Sequence, residues 1–191
     1  IGIIIGSLAG FFGGWVDDFI QYGYTTLASI PSILLMVSFL MIFKDRSLWQ
    51  ICLVLGITSW TGLCRLVRAE TLKLRELEYV QAAKALGIPR IPLLLRHVVP
   101  NLLHLVTISA VLQFSGLVLS EAVLSYVGLS VGTDTGSWGN MINTARLELT
   151  RDPVVWWNLA GAFVLMFGLV LPANLFGDAL RDALDPRLRI R

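Results

Sequence analysis

Glu78–Asn101, EYVQAAKALGIPRIPLLLRHVVPN, is the stretch on which the fold turns. It holds four basic residues, a glycine, two prolines three positions apart and a triple leucine, and strongly apolar runs lie on both sides of it. Gly87 divides it. Before Gly87, Glu70–Leu86 is rich in good helix formers (Leu72, Leu74, Leu77, Ala82, Ala83, Ala85, Leu86) and is expected as one helix. Gly87 is a natural stop, because glycine takes positive φ at little steric cost. Pro89 and Pro92 then bar a simple continuation. Either fits the first turn of a new helix, where amide hydrogens have no intrahelical partner. In that second helix Ile91, Leu94, Leu95 and Val98 fall at i, i+3, i+4 and i+7, one apolar stripe flanked by Arg90 and Arg96. Periodicity leaves two homes open for the stripe. One is a groove in a second protein; the other is the membrane surface, apolar side down.

The flanking runs set the class. Of 191 residues 55% are hydrophobic and only 15% charged, against about 25% charged in soluble domains. About 20 helical residues cross a bilayer core, and four runs suffice: Tyr24–Phe43, Leu48–Val67, Leu102–Tyr126 and Trp156–Phe176. The expectation is an all-α, polytopic transmembrane helical bundle. A fifth run, Ile1–Trp15, is too short to cross and starts without Met. It is expected to be the end of a span cut by an N-terminal truncation. Gly2, Gly6 and Gly10 recur every four residues there, a flat face suited to a close helix–helix seam. Pro31 and Pro172 interrupt two runs, which neighbouring helices in a membrane can tolerate.

Charge sets the orientation. Arg65, Arg68, Lys73, Arg75, Lys84, Arg90 and Arg96 precede the third full run, and Arg181, Arg187, Arg189 and Arg191 follow the last. The linker Gly128–Val155 has only Arg146 and Arg151, offset by Asp134, Glu148 and Asp152. An excess of basic residues marks cytoplasmic loops. Residues 70–101 and the C-terminus are therefore expected inside, and Lys44–Ser47 and 128–155 outside. Trp49, Trp156 and Trp157 mark outer span ends. Trp138–Leu149 reads as a short amphipathic helix on the outer mouth, with Met141, Ile142, Ala145 and Leu149 on one side.

Several chemistries are excluded or left without support. A net charge of +2 without basic and aromatic interleaving gives no nucleic-acid surface. Cys52 and Cys64 would lie about 18 Å apart on a helix, too far for a disulfide. No G-x-x-x-x-G-K-[ST] run is present, so no nucleotide pocket is expected in this chain. His97 and His104 share a helical face but find no third ligand nearby, so no metal site is expected. Glu121 sits in the outer half of its run. It is either a group lining a passage or an interfacial carboxylate bonded to Ser120 or Ser125. Gln113 and Ser115 are further lumen candidates. Asp178, Arg181, Asp182, Asp185 and Arg187 are spaced to pair along a last helical turn. An intramembrane enzyme pairing Glu121 with His97 or His104 is opposed by depth, since 17 residues of helix span about 25 Å. A passive channel or membrane anchor is the other alternative.

Spacing also carries a resemblance. Gln81-Ala82-Ala83, three residues, Gly87, nine residues, then His97-Val98-Val99-Pro100 resembles the EAA loop of ABC importer permeases. Gln81, His97 and Val99 depart from the usual Glu, Ile and Leu. AGFFGGWVDD at Ala9–Asp18, GLCRLVRAETLKLRELEYVQAAKALG at Gly62–Gly87, SEAVLSYVGLSV at Ser120–Val131, SWGNMI at Ser137–Ile142 and FGDALRDALDPRLR at Phe176–Arg189 resemble, in order, the dipeptide/oligopeptide (and nickel) permease family, most of all its C-type subunit.

The resemblance implies one ABC importer type I permease domain over 1–191 without its first span, located in the bacterial inner membrane. It implies that 70–101 is a cytoplasmic EAA loop with its coupling helix at Ile88–Arg96, and that 128–155 is extracytoplasmic. The implied partners are a second permease, two ATP-binding cassette subunits that hold the ATP, and an extracytoplasmic solute-binding protein. The chain itself would bind no cofactor and have no catalytic residue. Gln81, Ala82, Ala83, Gly87, Ile88, Pro89, Ile91, Leu94, Leu95 and Pro100 would form the coupling element, with Glu78 able to stand in for the missing carboxylate. Cargo would be short peptides, with nickel or another solute open.

Overall fold

A computed structural model describes residues 1–43, 47–129 and 136–184. Its regular structure is helical: α1 Gly2–Phe12, α2 Gly14–Ala28, α3 Ser32–Leu40, α4 Leu48–Leu74, α5 Glu78–Ala85, α6 Arg90–Leu93, a π turn at Leu94–Val98, α7 Val99–Tyr126, α8 Trp138–Glu148 and α9 Trp157–Leu184. Among the described residues three helices are long and apolar enough to cross a membrane: Leu48–Leu74, Arg90–Tyr126 and Trp157–Ala183. This is the all-α polytopic architecture that the apolar runs predict. The chain divides into two compact units, Ile1–Pro31 with Ser59–Ser109, and Ser32–Thr58 with Ala110–Arg191.

Two expected helices are broken. The run Tyr24–Phe43 is α2 and α3, with Pro31 between them. Proline lacks an amide hydrogen and pushes the residue before it out of helical geometry. The Ser29 hydroxyl donates to the Thr26 carbonyl at 2.7 Å, closing the end of α2. Pro172, by contrast, lies inside an uninterrupted α9. The expected helix Glu70–Leu86 is also two pieces, α4 and α5, parted at Arg75–Leu77. There Leu77 is extended, and the Arg75 guanidinium leaves its own helix to donate to the Gly10 carbonyl. The turn lets α5 bury Val80 and Ala83 instead of running on into solvent.

In the first unit the glycine seam forms as the spacing predicts. A Cβ on Gly2, Gly6 or Gly10 would stand 2.9, 2.6 or 2.7 Å from the carbonyl oxygens of Trp60, Cys64 and Arg68. One ladder of glycines thus lies on one ladder of carbonyls, at a spacing of four residues on both helices. Beside the seam, both carboxylate oxygens of Asp17 accept from Arg68, Nη2 at 2.7 Å and Nε at 2.5 Å. Such a planar fork is the strong form of an ion pair. The Arg65 guanidinium stands 5.6 Å over the Tyr24 ring.

In the second unit, Met36, Leu40, Ile51, Val54 and Leu124 form the core. Gly177 of α9 meets Val111 and Leu112 of α7. The expected amphipathic helix is present as α8, and Ala145 is its buried apolar residue. Met141, expected on the same side as Ala145, is 41% exposed.

Candidate functional site

Residues 75–101 make a loop with a rigid interior and a small apolar surface. Its corner is Gly87, at φ +78. The Ile88 amide donates to the Ala83 carbonyl at 3.2 Å and the Gly87 amide to Lys84 at 3.0 Å. This is the Schellman pair, which satisfies the last carbonyls of α5 and reverses the chain. Pro89 follows in extended geometry as the cap of α6, and Pro92 occupies its first turn. A Cβ at Gly87 meets nothing within 4 Å. Gly87→Ala is therefore expected to lower stability by the left-handed backbone penalty alone, about 1–2 kcal/mol, read as a fall in the melting temperature of the purified transporter.

The stripe read from periodicity does not stay on one face. Leu94 and Val98 are buried with Leu93, Leu102, Val80, Ala83, Phe11 and Val67. Of the four stripe residues only Ile91, 54% exposed, and Leu95, 58% exposed, remain outside, joined by Leu86 on the preceding turn. A π turn begins at this point, where the Val99 amide reaches back five residues to Leu94. Pro100 offers no amide hydrogen, and its ring opposes the carbonyl four residues earlier. The backbone widens there.

Polar contacts brace the same turn. Asn101 Nδ2 donates to the His97 carbonyl at 2.7 Å and to the Tyr79 hydroxyl at 3.0 Å, tying α5 to the start of α7. Gln81 Nε2 donates to the Arg75 carbonyl at 2.9 Å and to a Glu76 carboxylate oxygen at 3.3 Å. An ionised glutamate at 81 has no donor for that carbonyl, so the departure from the usual motif has a structural use here. Glu78 lies in the first turn of α5, where a carboxylate favours the helix dipole. Ala82 is exposed, Ala83 buried, Ile88 half-buried and Pro100 exposed in the first turn of α7. Tyr79 and Asn101 were not anticipated. Their signal is weak, one polar residue each on helices read for apolar pattern.

Of the lumen candidates, Gln113 is half-buried. Ser115 is 5% exposed, and its hydroxyl donates to Asn174 Oδ1 of α9 at 2.9 Å, a bond between the two helices. Glu121 accepts from the Ser125 hydroxyl at 2.9 Å and from the Gly139 amide at 3.3 Å. Gly139 lies in the first turn of α8, and the Ser137 oxygen accepts from Asn140 as its cap. Carboxylate and hydroxyl together satisfy amides that a helix start leaves free. Gly139 is pressed so closely on Ser125 and Ala122 that a side chain has no room there. Asp178, Arg181 and Asp182 continue α9; Asp185 and Arg187 lie outside the described residues.

The family described as the binding-protein-dependent transport system inner membrane component matches residues 2–190. "Oligopeptide transport system permease protein OppC" of Bacillus subtilis is 39% identical, over 99% of this chain and 61% of that protein. The protein of the same name from Haemophilus influenzae is 35% identical, over 99% and 60%. "Dipeptide transport system permease protein DppC" of Alkalihalophilus pseudofirmus is 34% identical, over 98% and 60%. The chain thus spans about 60% of the length of these curated relatives. With helices long and apolar enough to cross a bilayer and a family match over residues 2–190 that takes in the glycine seam, the Gly87 elbow and α8, this chain is an integral membrane protein of the binding-protein-dependent transport inner-membrane component family.

Proposed function

We propose that the chain is a permease subunit of an ATP-driven, binding-protein-dependent importer of short peptides. One observation carries the reading: Ile91 and Leu95 stay exposed on a helix otherwise fixed into its unit's core, inside the loop that resembles the EAA motif. The names of the relatives, peptide permeases in each case, support the cargo. A second permease completes the pathway, two ATP-binding cassette subunits hold and hydrolyse ATP, and an extracytoplasmic solute-binding protein delivers the peptide. Residues 70–101 and the C-terminus face the cytoplasm of a bacterial cell, and residues 128–155 face outward.

In this reading Ile91, Leu95 and Leu86 enter an ATPase cleft, and Arg90 and Arg96 frame the contact. Gln81, Ala82, Ala83, Gly87, Ile88, Pro89, Leu94 and Pro100 hold the element rigid instead of touching the partner. Displacement of Ile91 passes through Leu93, Leu94 and Val98 to Val67 of α4 and Phe11 of α1, since close-packed side chains transmit strain. Gln113 and Glu121 belong to the path.

The test is crosslinking in the assembled, full-length transporter. Cysteine at Leu95 or Ile91 is expected to join an ATPase subunit through a short bifunctional maleimide, and cysteine at the buried Leu94 is not. If Leu95→Cys reacts with lipid-phase reagents alone and never joins an ATPase, the loop rests on the membrane and the coupling reading fails.

A further inference from the structure

We infer that the second unit holds a subsite for a protonated amine attached to an apolar group, the amino-terminal residue of a hydrophobic peptide. This rests on the peptide-importer reading above and assigns it a recognition chemistry. The site is a cavity of about 480 Å³ between the start of α4, the Phe114–Glu121 stretch of α7 and the start of α8. That size is ordinary for a small-molecule site. Its walls are apolar, with Leu55, Phe114, Leu117 and Val118 among them, and Cys52 opens onto it. Glu121 is the charged group among its lining residues.

The hydrogen bonds of that carboxylate leave room for a ligand. Each oxygen accepts one hydrogen bond, and both donors are neutral, a serine hydroxyl and a backbone amide. Among the described residues no Lys, Arg or His pairs with it. An ionised carboxylate has about four acceptor positions, so two remain for a ligand. A charge beside apolar walls gains most from a countercharge that comes with its own apolar surface. A hydrated metal ion lacks that surface, and a neutral apolar solute leaves the charge unmatched. An ammonium on a leucine- or phenylalanine-like residue supplies both. The same two bonds latch Glu121 against α8, so the carboxylate is held in place before any ligand arrives.

The chain carries its own reporter. Cys52 is exposed in the cavity and Cys64 is buried, so N-ethylmaleimide labels the first selectively. The experiment uses the full-length chain with its partner subunits and binding protein in proteoliposomes. Trileucine is compared with N-acetyl-trileucine, and n-hexylamine with n-hexanol. The free amines are expected to slow Cys52 labelling at concentrations at least about fivefold below their counterparts that lack the ammonium, the scale of one charge-assisted contact. Glu121→Gln should make each pair equal, and Glu121→Asp, which keeps the charge, should restore part of the difference. Peptide uptake in the same vesicles reports on the underlying reading. If uptake is intact while labelling ignores the amino group, the subsite is wrong and the importer stands. If no peptide is taken up but hexylamine still protects through Glu121, the cargo reading falls and the amine subsite stands. Equal protection by hexylamine and hexanol, or a Cys52 that soluble maleimide never reaches, overturns the subsite outright.

Discussion

Leu94→Asp is expected to remove the folded chain from the membrane, whereas the same change one residue on, Leu95→Asp, leaves the fold and abolishes coupled transport. Adjacent residues on a helix point about 100° apart, and here that is the difference between the core and the surface. Leu94 is 3% exposed and packed among Val80, Leu93, Val98 and Phe11. A carboxylate there loses a leucine's burial and enters an apolar site without a partner, a penalty of about 4 kcal/mol or more. Against a typical total of about 5–15 kcal/mol, little folded protein remains. Leu95 faces outward, and a surface substitution of this kind shifts stability by about 0.5 kcal/mol or less. If Leu95 fills an ATPase cleft, however, its replacement strikes a contact hot spot, and such a loss weakens an interface at least about tenfold. Assembled transporter is measured by quantitative purification, and uptake and ATP hydrolysis are measured in proteoliposomes. Normal accumulation of Leu94→Asp would refute the packing. Full coupled uptake by Leu95→Asp would refute the docking face while leaving the packing intact.

The contrast shows what the sequence could and could not convey. A stripe at i, i+3, i+4 and i+7 is about 100° wide on a helix, and the border of the packed face falls inside it, between Leu94 and Leu95. Nothing in the stripe marks that border, because it is set by what packs against the helix. Gly87 was legible because its requirement is local: one residue, one backbone conformation. The glycine ladder of α1 was legible for a similar reason, since a repeat of four has one geometric consequence on a helix. Its partner was not, because nothing in Gly2–Gly10 names Trp60, Cys64 and Arg68.

Charged and polar pairings were hidden by distance along the chain. Asp17 and Arg68 are 51 positions apart, and Glu121 and Gly139 are 18 apart. The first pair has a sequence signal, because a charge near membrane depth demands a partner and Arg68 stands just past the end of the apolar run Leu48–Val67. Local competition misled at the proline of the first full run. Pro31, with Ser29 two residues before it and Ser32 after it, stands past the end of α2, while Pro172, between Leu171 and Ala173, leaves α9 whole. Serine offers the backbone an alternative bond, and Ser29 takes it.

Gly6→Ala is expected to separate α1 from α4 even though alanine is the better helix former. An added Cβ lands 2.6 Å from the Cys64 carbonyl oxygen and 3.1 Å from the Val67 Cβ. The obstacle is backbone, which cannot rotate away as a side chain can, so one helix must move as a body. Ordinary contact begins near 3.4 Å, and a shift of that size also loosens Gly2 and Gly10 on the same seam. Overpacking of this kind costs about 1–3 kcal/mol, and without a hydrophobic drive between helices in lipid, close packing is what holds them together. Leucine at the same position should add to the loss. Gly168→Ala on α9 is the matched control, since a Cβ there meets nothing within 4 Å, and the intrinsic gain over glycine is about 1 kcal/mol. The two alanine variants should therefore move the melting temperature of the purified transporter in opposite directions. The Asp17–Arg68 fork stands next to the seam, so a displaced α1 should also weaken that pair. Added salt, which screens exposed charges but reaches buried ones poorly, should then destabilise Gly6→Ala more than the parent. Equal melting of Gly6→Ala and the parent would mean that the glycine ladder does not bear on the carbonyls of α4.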